Sequence, residues 1–195
     1  MEQSYQKLVL VDSQPCTLHI LDTGGQYREN FGNQWIEGGE GFVLVYSITC
    51  RESFQLIREL HSQIWEKKKL LSTGNVPVMV VGNKSDEWKE RAVSYQEGSA
   101  LAEELGCKFS EVSAQGNQNV DNVFYDVAHR LRRQRQQCNE TPCDRGDPRL
   151  GDPRLFMESV GGSKRNCCFC LTGLSVIRQF ITWLRSNVGP SKHMT

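Results

Sequence analysis

The sequence predicts an α/β fold built on a doubly wound, mostly parallel sheet. Short apolar runs typical of buried strands alternate with segments of helical periodicity. Polar residues directly follow three of these runs. Ligands bind at the carboxyl ends of the strands in such sheets. We therefore expect a ligand site where the polar residues meet.

The first two strands are predicted at residues 5–12 and 16–22. Both runs are rich in β-prone residues, and Ser-Gln-Pro separates them, which is typical of a hairpin. A third run at residues 41–48, GFVLVYSI, is almost continuously apolar. This composition predicts a strand that is covered on both faces.

The rest of the body alternates helix and strand. Residues 51–70 contain apolar and aromatic positions at helical spacing, namely Phe54, Ile57, His61 and Ile64. Residues 76–83 predict a buried strand, Ser94 caps a helix that runs to Leu105, and residues 108–114 predict a last strand. The final helix presents one apolar face, formed by Val120, Val123, Phe124, Val127 and Leu131.

Composition favours a globular chain over a disordered or fibrous one, since 38% of the 195 residues are hydrophobic and 24% are charged. The sequence contains neither a secretory signal pattern nor an apolar run of about 20 residues that could span a bilayer. We therefore expect a cytoplasmic protein whose eight cysteines are reduced thiols.

Charge divides the chain into unlike parts. Residues 1–129 hold 11 Lys and Arg against 18 Asp and Glu, whereas residues 130–195 hold 12 against 5. The basic part indicates contact with an anionic surface, either membrane or nucleic acid. Together with the Gly-, Pro- and Asp-rich composition that follows residue 135, the division predicts a globular domain at 1–135, a flexible linker at 136–166 and a Cys-rich, weakly amphipathic tail at 167–195.

Three polar signals lie at the predicted strand ends, in the stretches DTGGQ (22–26), NKSD (83–86) and SAQ (113–115). Each alone has a simpler interpretation, such as a glycine turn or a helix entry with an Asx cap. Their occurrence together, in this order and each after its own strand, favours a shared functional site.

On these motifs, residues 2–135 resemble a Ras-family small GTPase. The second-switch motif Asp-x-x-Gly-Gln corresponds to Asp22, Gly25 and Gln26, and the guanine-specificity motif Asn-Lys-x-Asp to Asn83, Lys84 and Asp86. The family's Ser-Ala-Lys loop corresponds to Ser113, Ala114 and, with a departure, Gln115. The resemblance implies the P-loop NTPase-like G-domain fold and a signalling switch that hydrolyses GTP.

The resemblance also implies roles for these residues. The Asp86 carboxylate would select guanine by accepting hydrogen bonds from its ring N–H and amine. Asn83, Lys84 and the 113–115 loop would hold the base. Asp22 would bind Mg²⁺ through a water, with Thr23, Gly24 and Gly25 beside the phosphates and Gln26 orienting the attacking water. GTP or GDP and Mg²⁺ are therefore the expected cofactors.

Partners follow from the same resemblance: effectors, exchange factors and GTPase-activating proteins, but no nucleic acid. The stretch SKRNCCFCL (163–171) resembles the basic, lipid-modified end of Ras proteins, and Cys167, Cys168 and Cys170 are the lipidation candidates. The tail would then place the protein on the inner face of the plasma membrane.

The departures concern the phosphate side of the site. The sequence contains no GxxxxGK[ST] motif, and we expect that the domain lacks the family's first strand and first helix through truncation before Met1. Losing about five charge-assisted hydrogen bonds at roughly 1.5 kcal/mol each weakens nucleotide binding about 10⁵-fold. The missing strand would lie between the strands at 16–22 and 41–48, so we also expect a split sheet with two bare edges and a poorly folded chain. The alternative function is a non-catalytic Ras-like interaction module.

Overall fold

The computed structural model describes residues 3–22, 36–71, 76–140 and 166–172. They form one six-stranded sheet with the order β1-β2-β6-β3-β4-β5 and helices on both faces. The elements along the chain are β1 (Gln3–Val11), β2 (Gln14–Asp22), β3 (Gly41–Ser47), α1 (Arg51–Leu70), β4 (Val78–Asn83), a 3₁₀ helix (Ser85–Glu90), α2 (Tyr95–Glu104), β5 (Lys108–Glu111), α3 (Val120–Glu140) and β6 (Asn166–Thr172).

The first two strands form the predicted hairpin. They pair antiparallel from Gln3 opposite Asp22 to Val11 opposite Gln14. The turn is Asp12–Ser13, with positive φ angles of 49° and 61°. Left-handed backbone at both central residues matches the right-handed twist of a two-residue hairpin. The predicted connection at residues 13–15 was therefore wrong in detail, because Gln14 and Pro15 already belong to β2.

Strands β3, β4 and β5 form the parallel part that the sequence predicts. Phe42 lies opposite Val78 in the β3–β4 pair, and Met79 lies opposite Lys108 in the β4–β5 pair. Every residue of β3 and β4 is buried, as expected for parallel strands covered on both faces. The fold class predicted from the sequence is confirmed.

Strand β6 corrects the expectation of a split sheet. It pairs in parallel with β2, from Thr17 opposite Asn166 to Asp22 opposite Leu171, and with β3, from Gly41 opposite Phe169 to Leu44 opposite Thr172. The two edges that the sequence analysis left bare are therefore paired over residues 17–22 of β2 and 41–44 of β3. Residues 166–172, assigned to the linker and tail, lie in the middle of the sheet because NCCFCLT has no charge or proline that would prevent pairing.

Two apolar layers hold the helices against the sheet. On one face α3 contributes Val120, Val123, Phe124, Val127, Ala128 and Leu131. This confirms its predicted apolar face. On the other face α1 and α2 pack against β3 and β4 through Ile57, Leu60, Ile64, Leu101 and Ala102. Of the predicted α1 positions, Phe54 and His61 are only partly buried. Helix α3 continues to Glu140, beyond the predicted domain boundary at residue 135.

Helix α2 is fixed by its first turn and by one glycine. The Ser94 hydroxyl accepts from Glu97 N at 3.2 Å, and the Glu97 carboxylate accepts from Ser94 N at 2.9 Å, which is a capping box. Gly98 lies so close to the Tyr46 hydroxyl and the Phe109 ring that a Cβ there would overlap both.

No helix among the described residues has the length and apolar character needed to cross a membrane.

Candidate nucleotide site

Asn83 joins the two loops that carry the predicted base-binding motifs. It is the last residue of β4 and is fully buried. Its Oδ1 accepts from Lys84 N at 2.8 Å and from Ala114 N at 3.1 Å. Two backbone bonds reinforce the junction, from Ser85 N to Val112 O at 3.0 Å and from Val112 N to Gly82 O at 2.8 Å. The loop after β4 and the loop after β5 therefore form one rigid unit.

Lys84 adopts a left-handed backbone conformation, with φ of 69°. This is unusual for a residue with a side chain. The conformation turns the chain from β4 into the 3₁₀ helix, and Lys84 Nζ lies 3.0 Å from the Glu87 carboxylate. Asp86, in the first turn of that helix, is exposed. Its carboxylate is thus accessible beside the junction that Asn83 makes.

The loop after β5 is closed by its own hydrogen bonds. Ser113 is fully buried, and its hydroxyl accepts from Gly116 N at 2.8 Å. Ser113 and Gln118 exchange two backbone bonds, at 3.2 and 2.9 Å. Ala114 is buried, whereas Gln115 is exposed at the loop tip. The structure brings Ala114 to Asn83 through the hydrogen bond to Asn83 Oδ1 and leaves the Gln115 side chain at the surface.

Asp22 marks the far end of the same edge. It is the last residue of β2, is buried, and lies opposite Gln3 of β1 and Leu171 of β6. Strands β2, β6, β3 and β4 run parallel, so Asp22 and Asn83 lie towards the same edge of the sheet, but the register places Asp22 level with Met79, four residues before Asn83. Three strand spacings and four residues of rise separate them by about 20 Å. Thr23, Gly24, Gly25 and Gln26 lie outside the described residues.

The hydrogen bonding of Asn83 Nδ2 bears on whether a guanine base fits here. Among the described residues, no group accepts a hydrogen bond from Asn83 Nδ2, although the atom is buried. A buried donor without an acceptor costs about 1 to 3 kcal/mol. A ring nitrogen or carbonyl of a ligand would remove this cost. This one donor is compatible with a ligand that carries a hydrogen-bond acceptor, as a purine base does.

The metal side offers fewer ligands in the described part of the chain. Within residues 3–22, 36–71, 76–140 and 166–172, no three His, Cys, Asp or Glu side chains converge on one point. Asp22 alone represents the predicted Mg²⁺ site there. One carboxylate suits a Mg²⁺ ion that keeps most of its waters and its phosphate ligands.

The remaining sequence-predicted residues lie elsewhere. Cys167, Cys168 and Cys170, the lipidation candidates, belong to β6. Sequence reasoning did not identify Glu87, which holds the Lys84 ammonium. The signal was present in the spacing, since residues three apart in a helical segment are neighbours and these two carry opposite charges.

Comparison with known proteins agrees with this geometry. A family model described as Ras family matches residues 1–133. Protein ras-2 of Neurospora crassa is 48% identical over 159 residues, which cover 73% of this chain and 69% of that protein. Ras-like protein 1 of Pyricularia oryzae is 44% identical over 189 residues, covering 85% and 78%. Ras-like protein B of Aspergillus fumigatus is 48% identical over 158 residues, covering 70% and 66%.

Proposed function

The chain belongs to the Ras family of small GTPases, and from this premise we propose that it binds guanine nucleotides at the Asn83 junction and acts as a GTP-hydrolysing signalling switch. The observation that carries the proposal is that the two polar atoms of the Asn83 amide differ in their hydrogen bonding. Its oxygen is used twice within the protein, and its buried Nδ2 still has a hydrogen bond to give among the described residues.

Base selection is assigned to Asp86. Its exposed carboxylate has two oxygens that can accept from the ring N–H and the exocyclic amine of guanine together. Adenine presents no such pair of donors on that edge, so the same carboxylate would repel it. The 3₁₀ helix fixes Asp86 relative to the Asn83 junction, which supports selectivity through position as well as chemistry.

The phosphate chemistry is assigned to the stretch that begins at Asp22. Bound Mg²⁺ would neutralise charge on the phosphate oxygens, with Asp22 holding it through a water. The Gly25 N–H would donate to the terminal phosphate beside Thr23 and Gly24, and Gln26 would orient the attacking water. Loss of that phosphate would release the contact at Gly25 and change the surface offered to effectors, exchange factors and GTPase-activating proteins.

Membrane contact belongs to the same proposal. The basic stretch SKR (163–165) precedes the three cysteines of β6, and acylation of Cys167, Cys168 or Cys170 would give a hydrophobic anchor. A basic cluster together with an acyl chain is the combination that holds a protein stably on an anionic leaflet. The site of action is then the inner face of the plasma membrane.

Isothermal titration of the full chain with GTP, GDP and ATP tests the proposal. We expect binding of both guanine nucleotides and none of ATP at the same concentrations. Replacing Asp86 by Asn removes two charge-assisted hydrogen bonds, which is a loss of about 3 kcal/mol or about 100-fold in affinity. Glu90→Gln, an exposed carboxylate on the same 3₁₀ helix, is the matched control and leaves affinity unchanged.

A second candidate is the non-catalytic interaction module. It is favoured by residues 1–195, which contain no GxxxxGK[ST] motif. A folded chain that shows cooperative unfolding but binds no guanine nucleotide at millimolar concentration would contradict the switch and support the module. Equal binding of GTP and ATP would contradict the role of Asp86.

A further inference from the structure

Strand β6 occupies a gap that is one strand wide. Strand β2 is paired with β1 on its outer side, and β3 is paired with β4 on its outer side. Within the described part of the chain, their inner sides pair with β6 alone, over residues 17–22 of β2 and 41–44 of β3. Phe169, Cys170 and Leu171 each have register partners on both neighbours.

The walls of this gap lie in the core. Leu18 and Ile20 of β2 are buried, as are Phe42, Val43 and Leu44 of β3. Backbone N–H and C=O groups in such surroundings need hydrogen-bond partners, because water cannot supply them without exposing the core. An extended segment that enters parallel to both strands satisfies the two rows of groups at once.

From this arrangement we propose that the space between β2 and β3 is a strand-acceptor site, and that its occupant is Asn166–Thr172 of the same chain. The segment is suited to the task because NCCFCLT carries no charge to bury and no proline to interrupt either ladder. Acceptor and donor are far apart in sequence, so the donor can leave the sheet without breaking the chain within either wall.

Occupancy excludes a second use of the same residues. A segment hydrogen-bonded on both sides within a sheet cannot at the same time lie on a membrane surface. Pairing in the sheet and anchorage through Cys167, Cys168 or Cys170 are therefore alternative states of one segment. Because Leu171 lies opposite Asp22, the paired state also gives the carboxyl end of β2 a neighbour on its inner side.

Hydrogen exchange of the full chain, read by mass spectrometry, tests the pairing directly. We expect residues 166–172 to be protected together with β2 and β3. Exchange of 166–172 at the rate of an unstructured peptide, with β2 and β3 still protected, would overturn the proposal, because the walls would then be stable without this donor.

A pair of variants separates the backbone ladder from the side chain. Phe169→Pro removes an N–H at a position paired on both sides, whereas Phe169→Ala removes the ring and keeps the N–H. We expect Phe169→Pro to lose protection in β6 and in the facing residues of β2 and β3, beyond any loss in Phe169→Ala. Glu158→Pro, within residues 141–165, which already contain Pro142, Pro148 and Pro153, is the control. Equal protection in the proline and alanine variants would contradict the assignment.

Rescue and molecular mass identify the source of the strand. A synthetic peptide of residues 163–173, kept reduced, should restore protection of β2 and β3 in the Phe169→Pro chain, and the same peptide with Phe169→Pro should not. Failure of the native peptide to restore it would count against an acceptor site. Light scattering should give a monomer mass for the wild-type chain with β6 protected; a dimer mass would assign the donor to a second copy and overturn its origin in the same chain.

Discussion

Replacing Asn83 by Ala should destabilise the fold more than any exposed substitution near the site. The change removes the oxygen that accepts from both Lys84 N and Ala114 N. Truncation leaves the two amides without their partner and separates the loop after β4 from the loop after β5. Since Asn83 is fully buried, water cannot replace its oxygen without local opening.

The expected size follows from the surroundings of the two donors. The bond to Ala114 N is buried and the bond to Lys84 N is partly buried. An unsatisfied buried donor costs about 1 to 3 kcal/mol, so about 2 to 3 kcal/mol is assigned to Ala114 N and about 1 kcal/mol to Lys84 N. This sum of about 3 to 4 kcal/mol is reduced by the cost of about 1 to 3 kcal/mol that disappears with the unpartnered Nδ2. We therefore expect a net loss of about 1 to 2 kcal/mol, against the 5 to 15 kcal/mol that stabilises a typical domain.

Urea unfolding followed by far-ultraviolet circular dichroism measures this loss. The transition midpoint of Asn83→Ala should fall while the slope stays that of the wild type. Asn122→Ala is the control, because Asn122 is exposed and its Nδ2 makes a single hydrogen bond within the described part of the chain, to Asn119 Oδ1 at 3.5 Å. A loss below about 1 kcal/mol for Asn83→Ala would refute the view that this oxygen joins the two loops.

Three further predictions concern packing, pH and thiol chemistry. Gly98→Ala overpacks the contact with Tyr46 at about 1 to 3 kcal/mol, against roughly 1 kcal/mol of helix propensity gained, so thermal unfolding should show a net loss of stability. Gly38→Ala, in a helical turn where a Cβ meets no described atom within 4 Å, is the control and should not lower the unfolding temperature. The hydrogen bond from Arg51 holds the pKa of Glu97 at about 2. The contribution of the Glu97 carboxylate to folding stability is therefore present above about pH 4.3 and is lost as pH falls towards 2. The stability of Glu97→Gln should vary less with pH over this range, and a pH dependence equal to that of the wild type would contradict the assignment. Burial raises the pKa of the Cys107 thiol to about 11. In the folded chain the rate of Cys107 alkylation by iodoacetamide should therefore still rise with pH at about pH 10, whereas in urea the rate should level off near the ordinary thiol pKa of about 8.5. A rate that levels off near pH 8.5 in the folded chain would contradict this prediction.

The sequence predicted correctly those helices and strands that depend on residues close together along the chain. The apolar run at 41–48 and the spacing of Val120, Val123 and Phe124 depend only on neighbours along the chain, and the structure places them in β3 and α3. The capping residue Ser94 is of the same kind, because its partner Glu97 lies one turn away. Apolar periodicity and capping residues depend on neighbours along the chain, so they predict a helix or strand before its tertiary contacts are known.

The sequence did not predict β6, because strand pairing is decided by a distant partner. NCCFCLT has the features of a lipid-modified end as much as those of a strand, and only the gap between β2 and β3 distinguishes the two uses. At the site, the order of the motifs predicted one shared site, but the hydrogen bonds from Lys84 N and Ala114 N to one amide oxygen of Asn83 depend on geometry. The motif residues Thr23 to Gln26 stay predictions.

The place of β6 in the sheet also sets the order in which the fold can be completed. A ribosome makes the chain at about 5 to 20 residues per second and releases the walls of the gap, β2 and β3, well before Asn166. The contacts that close the middle of the sheet join Thr17 to Asn166 and Gly41 to Phe169, which are among the most distant pairings in the chain and therefore slow to form. During synthesis, the β1–β2 pair and the β3–β4–β5 sheet would therefore keep unpaired inner edges until β6 is made. Chaperones bind nascent chains in this state, and neighbouring chains on one messenger RNA can exchange strands in it.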